Sequence, residues 1–292
     1  MRRLIISHVT EYEFSTAVTL QPHQLLLRPR ESHTLRIESS TLEIHPAHRI
    51  RWHRDALDNS VASVSFLAPS NSLRIASNVR VEMYEDAPFD FLVADYAVTY
   101  PFEYALQEQP DLAAYRQSVY VDDRSAVNQW LVSLGCVREP METFVLLDRL
   151  NRDIANRFVY QAREEPGVQS PAQTLSLQRG SCRDFAALFM EACRHLGLAS
   201  RFVSGYLDIS ATSIGNAAPG NASTHAWAEV YLPGPGWKGF DPTSGVLTDN
   251  RHIPVAVSRH PEAIPPVAGS FVGPAGQRPV PMVSVQVSAV DR

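Results

Sequence analysis

The sequence has few cysteines, no long apolar run and no extended run of basic residues. Its three cysteines in 292 residues, Cys136, Cys182 and Cys193, form neither an even disulfide set nor a metal-ligand spacing, so we expect reduced thiols. No stretch approaches the length of a membrane span, and the basic start at Arg2 and Arg3 turns polar too early for a signal peptide. These absences predict a cytoplasmic protein without a membrane partner.

The charge balance is weakly acidic. A formal net charge of -5 argues against nucleic acid as the principal partner, and no glycine-rich phosphate loop is visible. With 45% hydrophobic and 20% charged residues, the chain suits one large or two ordinary globular domains. Small or peptidic ligands remain as candidates, and no pattern indicates the oligomeric state.

The first ninety residues alternate between apolar and polar in the manner of β-strands. The apolar positions change from odd to even residue numbers between Ile37 and Leu42, which predicts a bulge near residues 39 and 40. We assign residues 1–90 to an antiparallel β-sandwich, and the proline-containing stretch 91–120 to a connection between domains. The strongest alternation places five apolar residues on one strand face, at Leu73, Ile75, Val79, Val81 and Met83.

From residue 121 the apolar spacing becomes helical. Helices are predicted behind Asp122, around residues 144–154 and from Cys182 onward, and extended runs follow. Helices followed by strands favour an α+β domain with an antiparallel sheet, which we assign to residues 121–292. That range includes a tail rich in proline and glycine and a closing strand near residues 283–287. The extended runs are Arg201–Leu207, His225–Leu232 and Trp237–Asp241.

Cys182 lies where a loop turns into an amphipathic helix. Apolar residues recur after it with a buried-face spacing that includes Phe185 and Phe189, and Gly197 supplies a stop. In the first helical turn, unpaired N–H groups and the positive end of the helix dipole favour a thiolate over a thiol. A buried structural cysteine is nevertheless the commoner role of a lone thiol, so Cys182 needs partners.

A histidine and an aspartate flank a predicted hairpin. His225 and Asp241 face the same side of the hairpin if the numbers of each pair of opposed residues add to an even value. This condition implies a loop at 233–235, a loop at 231–235, or a two-residue turn with a bulge. A thiolate needs an imidazole to take and return its proton, and the imidazole needs an acceptor that fixes its tautomer. Cys182, His225 and Asp241 suit these roles, although His225 and Asp241 seen separately would be ordinary strand and turn residues.

Three sequence blocks surround the candidate residues: Gly180-Ser-Cys182-Arg-Asp, His225-Ala-Trp-Ala-Glu-Val-Tyr-Leu and Gly236-Trp-Lys-Gly-Phe-Asp241-Pro-Thr. Together they resemble the transglutaminase-like superfamily, whose fold is related to papain-type cysteine proteases. The N-terminal half resembles the β-rich domain attached to many bacterial members, at Tyr12-Glu-Phe14, Pro22-His23 and Leu27-Arg28-Pro29-Arg30. The segment from Asp249 to Val257 continues the likeness.

The resemblance implies a papain-like catalytic domain. Cys182 would be the nucleophile, His225 the general base and acid, and Asp241 the orienting carboxylate. The reaction would be thiol-mediated acyl transfer from amide bonds of peptides or proteins. Hydrolysis is the default because water is always present, while transfer to an amine, as in a protein-glutamine transamidase, and a weakly active peptide-binding scaffold are the alternatives.

Other residues are candidates for binding the substrate. The Cys182 amide is a natural donor to the oxyanion of a tetrahedral intermediate. Gln178 is a candidate second donor, with simple solvation as the favoured alternative. Trp227 and Trp237 are candidate walls of an acyl pocket, with core packing as the alternative, favoured for Trp227. The loop 210–223 is either a mobile flap over the cleft or plain disorder.

We expect no metal and no other cofactor. Animal transglutaminases, by resemblance, depend on calcium bound at acidic loops. The stretch between the predicted nucleophile and the predicted base offers only Asp184, Glu191 and Asp208 as acidic residues. The sequence therefore predicts an activity that is independent of calcium.

Overall fold

A computed structural model describes residues 1–84, 87–137, 139–163, 167–209 and 223–290 of the chain. Its three cysteines are free thiols. The helices are α1 (Gln109–Arg116), α2 (Arg124–Ser133), α3 (Thr143–Arg157), α4 (Pro171–Leu177) and α5 (Cys182–His195). The strands are β1 (Arg2–Leu20), β2 (His23–Leu25), β3 (Leu35–His45), β4 (His48–Arg54), β5 (Ser60–Phe66), β6 (Ser70–Met83), β7 (Thr99–Tyr100), β8 (Met141–Glu142), β9 (Val159–Tyr160), β10 (Arg179–Gly180), β11 (Ser200–Leu207), β12 (Ser223–Leu232), β13 (Gly236–Asp241), β14 (Val246–Leu247), β15 (His252–Ser258), β16 (Val267–Ala268), β17 (Phe271–Val272) and β18 (Met282–Ala289).

The N-terminal half is an antiparallel β-sandwich, which confirms the prediction from its alternation. One sheet has the order β17-β1-β6-β3, with β18 also paired to β1, and the other has the order β16-β2-β5-β4. Apolar side chains from both sheets, among them Leu25, Ala62 and Leu73, form a buried cluster. The pairing of β3 with β6 shifts between Ile37 and Ser39, so the predicted bulge is present.

The second half is built on an antiparallel sheet with the order β14-β13-β12-β11-β15. Helix α5 packs against β12 and β11, and its buried Phe189 stacks on Phe240 of β13 at 5.4 Å between ring centroids. Leu232 pairs with Gly236, so β12 and β13 are joined by the three-residue loop 233–235, one of the predicted loops. Gly234 in this loop has φ +102°, and a Cβ there would lie 2.6 Å from the Leu92 carbonyl oxygen, so glycine is required.

The three predicted helices are present as α2, α3 and α5, and α1 and α4 were not predicted. Helix α4 begins with a capping box between Ser170 and Gln173. Helix α1 lies inside the predicted connection 91–120, and its buried Leu112 packs with Tyr104 and Ala199. That stretch is therefore partly folded onto the second domain. None of the described helices is long and apolar enough to cross a membrane.

The second domain was predicted to extend to residue 292, and this boundary is wrong because the C-terminal tail belongs to the sandwich. The closing strand exists as β18, but it pairs with β1, in register from Leu4↔Ala289 to Glu11↔Met282. Likewise β16 pairs with β2 and β17 with β1. The chain therefore returns after β15 to complete the N-terminal sandwich, because that sandwich offers an open edge to the alternating tail.

The sandwich also covers one face of the second sheet. Leu4 and Ile6 of β1 share a buried cluster with Tyr206 of β11 and Ile253 of β15. The Asn59 side chain donates to the Val257 carbonyl at 2.9 Å and accepts from the Val257 N–H at 2.8 Å. The sheet thus lies between helix α5 and the sandwich, and this packing fixes the strands that carry the candidate site.

Candidate active site

Cys182 is the first residue of α5, and a buried carboxylate holds the chain in place there. Asp184 Oδ2 accepts from the Ser181 N–H at 2.8 Å and from the Ser181 hydroxyl at 2.9 Å. Its Oδ1 accepts from Arg163 at 2.8 Å and from the Gln169 N–H at 2.7 Å. Because Asp184 is fully buried and each oxygen has two donors, the start of the helix is fixed.

Gly180 allows the chain to reach this carboxylate. A Cβ at Gly180 would lie 2.9 Å from the Asp184 Cβ and 3.2 Å from a ring carbon of Phe185. The glycine before the candidate nucleophile is therefore required by packing. Cys182 itself is 8% exposed and lines a cleft.

His225 and Asp241 are joined by a hydrogen bond. His225 Nε2 lies 2.9 Å from Asp241 Oδ2, and both side chains are buried. The hairpin register brings the start of β12 and the end of β13 together, as the even register required. With Nε2 directed at Asp241, the other ring nitrogen is free to serve Cys182.

The charge state of His225 follows from its neighbours. Burial alone would lower the pKa of His225, but the charge and hydrogen bond of Asp241, and then those of Cys182, outweigh it and raise that pKa above its usual range. The structure thus brings Cys182, His225 and Asp241 together and favours a protonated imidazole between thiol and carboxylate.

Asp241 accepts more hydrogen bonds than His225 alone supplies. Its Oδ1 accepts from the Thr243 N–H at 3.0 Å, and its Oδ2 accepts from the Ser244 hydroxyl at 2.8 Å and faces His252 Nε2 at 3.3 Å. Burial alone would raise the pKa of Asp241, but His225 and then His252 hold it well below its usual range. Asp241 is therefore ionised at neutral pH.

His252 also belongs to this cluster, although no sequence motif predicts it as a site residue. It opens β15 and follows Asp249 by three residues, in the segment that continues the family likeness. His225, Asp241 and His252 place one ligand atom each within 4.8 Å of one another, a spacing that could hold a metal ion. The hydrogen bonds among these groups already account for their convergence.

A cleft of about 420 Å³ opens beside Cys182 and His225. The sheet lines it with Phe202, Ser204 and Thr224. Its wall also includes Tyr160, the chain after β9 and the segment 261–266 that leads into β16. The cleft thus offers both apolar and hydrogen-bonding groups next to the thiol, as expected of a ligand site.

Two parts of the wall touch each other. Glu262 Oε1 accepts from the Val168 N–H at 3.1 Å. Gly167 beside it has φ +88°, and a Cβ there would lie 3.0 Å from the same carboxylate oxygen. The candidate flap 210–223 adjoins His225 in sequence, but residues 210–222 lie outside the described residues.

Gln178 is not placed to serve as an oxyanion donor. It ends α4 with φ 52° and ψ 31°, and its backbone N–H donates to the Thr174 carbonyl at 2.9 Å. Its side chain is exposed and is not among the described residues that line the cleft. The favoured alternative, a solvated loop glutamine, describes its position.

The two candidate tryptophans also lie away from the cleft. Trp227 is 2% exposed and packs with Val203 and Val257, and Trp237 packs on Tyr231 with the Arg201 guanidinium 4.2 Å from its ring centroid. Neither is among the described residues that line the cleft beside Cys182. The expectation that they wall an acyl pocket is therefore wrong. Trp227 packs against Leu57 of the sandwich, which agrees with the favoured alternative of core packing, and Trp237 packs against Tyr115 of α1.

Both halves of the chain match known families. Residues 4–82 match the bacterial transglutaminase-like N-terminal region, and residues 135–242 match the transglutaminase-like superfamily. The fold and family define a thiol-dependent enzyme in the general sense. Residues 135–242 belong to the transglutaminase-like superfamily, and residues 4–82 to the N-terminal region found in its bacterial members.

Relatives extend this likeness over nearly the whole chain. The uncharacterized protein Rv2569c of Mycobacterium tuberculosis is 29% identical over 280 residues, which is 91% of this chain and 87% of the relative. The uncharacterized protein ML0607 of Mycobacterium leprae is 26% identical over 279 residues, 94% of each. A crystal structure from Cytophaga hutchinsonii, provisionally named a cysteine protease, has a TM-score of 0.71 at 16% identity and covers 100% of this chain and 91% of that one. That structure shows a shared fold.

Proposed function

We propose that this protein is a cysteine hydrolase that cleaves amide bonds in peptides or proteins. Cys182 is the nucleophile, His225 the general base and acid, and Asp241 the carboxylate that orients His225. The observation that carries the proposal is the arrangement itself: a thiol at a helix start, an imidazole between thiol and carboxylate, and a cleft of about 420 Å³ at the thiol.

The reaction proceeds through a thioester. Cys182 gives its proton to His225 and its sulfur attacks the amide carbonyl, which forms a tetrahedral oxyanion. His225 then protonates the leaving amine as the C–N bond breaks. Next it takes a proton from water, which attacks the thioester, and it returns that proton to the sulfur as Cys182 leaves. The products are a carboxylic acid and an amine.

The oxyanion needs fixed donors in the cleft. The Cys182 N–H lies in the first turn of α5, where backbone N–H groups have no acceptor within the helix. Tyr160 lines the same cleft, and burial, followed by the charge of Cys182, raises the pKa of its hydroxyl to about 12. That hydroxyl therefore stays protonated at neutral pH and is a candidate second donor.

Asp241 supports this chemistry by holding one tautomer of His225. Its carboxylate accepts from Nε2 and so leaves Nδ1 to exchange a proton with Cys182. The charge of Asp241 also stabilises the imidazolium that forms when the thiol ionises. Without this charge, the buried imidazole would lose its proton.

Water is the proposed acyl acceptor because it reaches any open cleft at high concentration. An amine acceptor would require a second binding site that competes with water. Transamidation is therefore the outcome to be tested against hydrolysis.

The test offers a glutamine-containing peptide pool with and without a labelled primary amine. We expect peptide-bond cleavage or ammonia release that depends on Cys182, with little incorporation of the amine. Incorporation that outruns hydrolysis would identify a transamidase instead. If neither reaction occurs while the wild-type protein retains peptide, the chain is a binding scaffold.

A further inference from the structure

We propose that His252 is a positioning residue of the active site, which holds Asp241 in the orientation that His225 requires. The inference deepens the proposed function and rests on it. Its basis is geometric, since His252 contacts the same Asp241 oxygen as His225 and is itself held by the turn before β15.

Both ring nitrogens of His252 are engaged. Nε2 lies 3.3 Å from Asp241 Oδ2, the oxygen that also accepts from His225. Nδ1 lies 3.1 Å from the Asp249 N–H and 3.1 Å from Asp249 Oδ1. The ring is 4% exposed, so solvent supplies little of its hydrogen bonding.

These contacts fix a proton on Nε2 in either charge state. In the neutral ring, Nδ1 accepts from the Asp249 N–H, and the proton must be on Nε2. In the charged ring, Nδ1 donates to Asp249 Oδ1 and Nε2 is again protonated. The tautomer with a bare Nε2 would set a lone pair against the Asp241 carboxylate, so His252 acts as a donor to Asp241.

Asp249, which contacts the His252 ring, is itself held by Arg251 and by the His252 backbone. Arg251 Nε lies 2.9 Å from Asp249 Oδ2, and the His252 N–H donates to the Asp249 carbonyl at 3.0 Å. The pKa of Asp249 is held below its usual range, although its burial opposes this, because His252 and Arg251 hydrogen-bond to it. A charged carboxylate on a closed turn therefore fixes the far edge of the His252 ring.

Trp227 fixes the faces of the two imidazoles. Its indole meets the His252 ring edge-on at 5.3 Å and the tilted His225 ring at 6.1 Å between centroids. Gly205 makes room for it, because a Cβ there would lie 2.6 Å from Trp227 Cη2. Trp227 thus packs against both histidines that share one carboxylate, a role that differs from the substrate contact expected from the sequence.

The groups that face this cluster come from several elements. His225 meets Cys182 of α5 and Asp241 of β13, and His252 meets Asp241 and the turn before β15. Tyr160 and Arg183 lie at the cleft side. Asp241 and Asp249, whose pKa values are held below their usual range, stay charged between pH 5 and 9.

Two variants separate positioning from packing. His252→Gln places an amide N–H where Nε2 stands and can still reach Asp241. His252→Asn is one methylene shorter, so its amide remains near the Asp249 N–H and does not reach Asp241. Glutamine and asparagine are both polar and similar in volume. Urea unfolding of the two variants checks that they fold comparably.

The readout is the rate of Cys182 alkylation by iodoacetamide between pH 5 and 9, followed at that residue by mass spectrometry. In the Asn variant we expect the pH midpoint of reactivity to rise by about one unit, so that alkylation at pH 6 slows about tenfold. If Asp241 is poorly oriented, it stabilises the His225 imidazolium less. The Cys182 thiolate, which pairs with that imidazolium, then forms less readily. The Gln variant should stay within about twofold of wild type.

Other outcomes would overturn the inference. If the Asn and Gln variants behave alike, His252 only fills space. If the midpoint falls in the Asn variant, His252 competes with His225 for Asp241 and does not position it. The proposed function fails separately, when wild-type Cys182 reacts no faster than Cys193.

Discussion

The two ends of helix α5 carry the same side chain in different surroundings. Cys182 begins the helix, is 8% exposed and contacts His225 at the mouth of a cleft. Cys193 lies eleven residues further along the same helix, is fully buried, and burial raises the pKa of its thiol. Because the chemical group is identical, any difference in reactivity between the two thiols must come from their position and neighbours.

The sequence neighbours of the two thiols differ in a corresponding way. Cys182 follows Gly180 and Ser181, whose backbone the Asp184 carboxylate holds. Cys193 is surrounded by the apolar residues that pack α5 on the sheet. One end of the helix is therefore organised around charge and hydrogen bonds, and the other around apolar packing.

Removing the thiol at the helix start should have the largest effect. Cys182→Ala is expected to lower the hydrolysis rate by at least about 10⁴-fold, because the nucleophile is lost. Folding should be nearly unaffected, since the side chain lies at the cleft surface. Peptide hydrolysis and thermal unfolding of the variant check both expectations, and substantial remaining activity would argue for another nucleophile.

Replacing the carboxylate should have the next largest effect. In Asp241→Asn, the charge that raises the pKa of His225 is absent, so burial lowers that pKa and the imidazolium is lost near neutral pH. We expect kcat/KM to fall on the order of 10³-fold. A pH series of peptide hydrolysis measures this loss, and a fall of less than tenfold would contradict the assigned role.

The Tyr160 hydroxyl should matter less. Tyr160→Phe removes one candidate oxyanion donor and leaves the ring, so we expect kcat to fall about tenfold with little change in KM. Steady-state kinetics separate the two parameters. If KM alone rises, Tyr160 binds the substrate and does not stabilise the oxyanion.

The matched change at the buried end of the helix should have the smallest effect on activity. Cys193→Ala removes a buried sulfur and is expected to lower the free energy of unfolding by about 1–2 kcal/mol, while hydrolysis stays within about twofold of wild type. Urea unfolding and peptide hydrolysis measure the two quantities. A large loss of activity in a folded variant would erase the contrast between the two thiols.

Much of the fold and of the residue cluster could be predicted from local sequence. The 3.6-residue spacing of apolar residues placed α5, and strand parity required the even register that joins His225 to Asp241. These features depend on residues close together in the chain. Their assigned chemistry remains a prediction that the experiments above test.

Other features depend on pairings between distant residues. The alternation near residue 285 predicted a strand but could not specify β1 as its partner, almost the whole chain away. His252 meets Asp241 although β15 and β13 are separated in the sheet by β11 and β12. Trp227 shares the strand parity of His225, and this signal could have placed it beside the histidine, although the sandwich that buries it was not predictable locally.

The most direct test is site-resolved alkylation of the wild-type protein with iodoacetamide at pH 6.5. The account predicts that Cys182 is labelled at least about a hundredfold faster than Cys193 and Cys136, because both of these are buried and their burial raises the pKa of each thiol. Labelling of Cys182 at the same rate as the other two in the folded protein would contradict it.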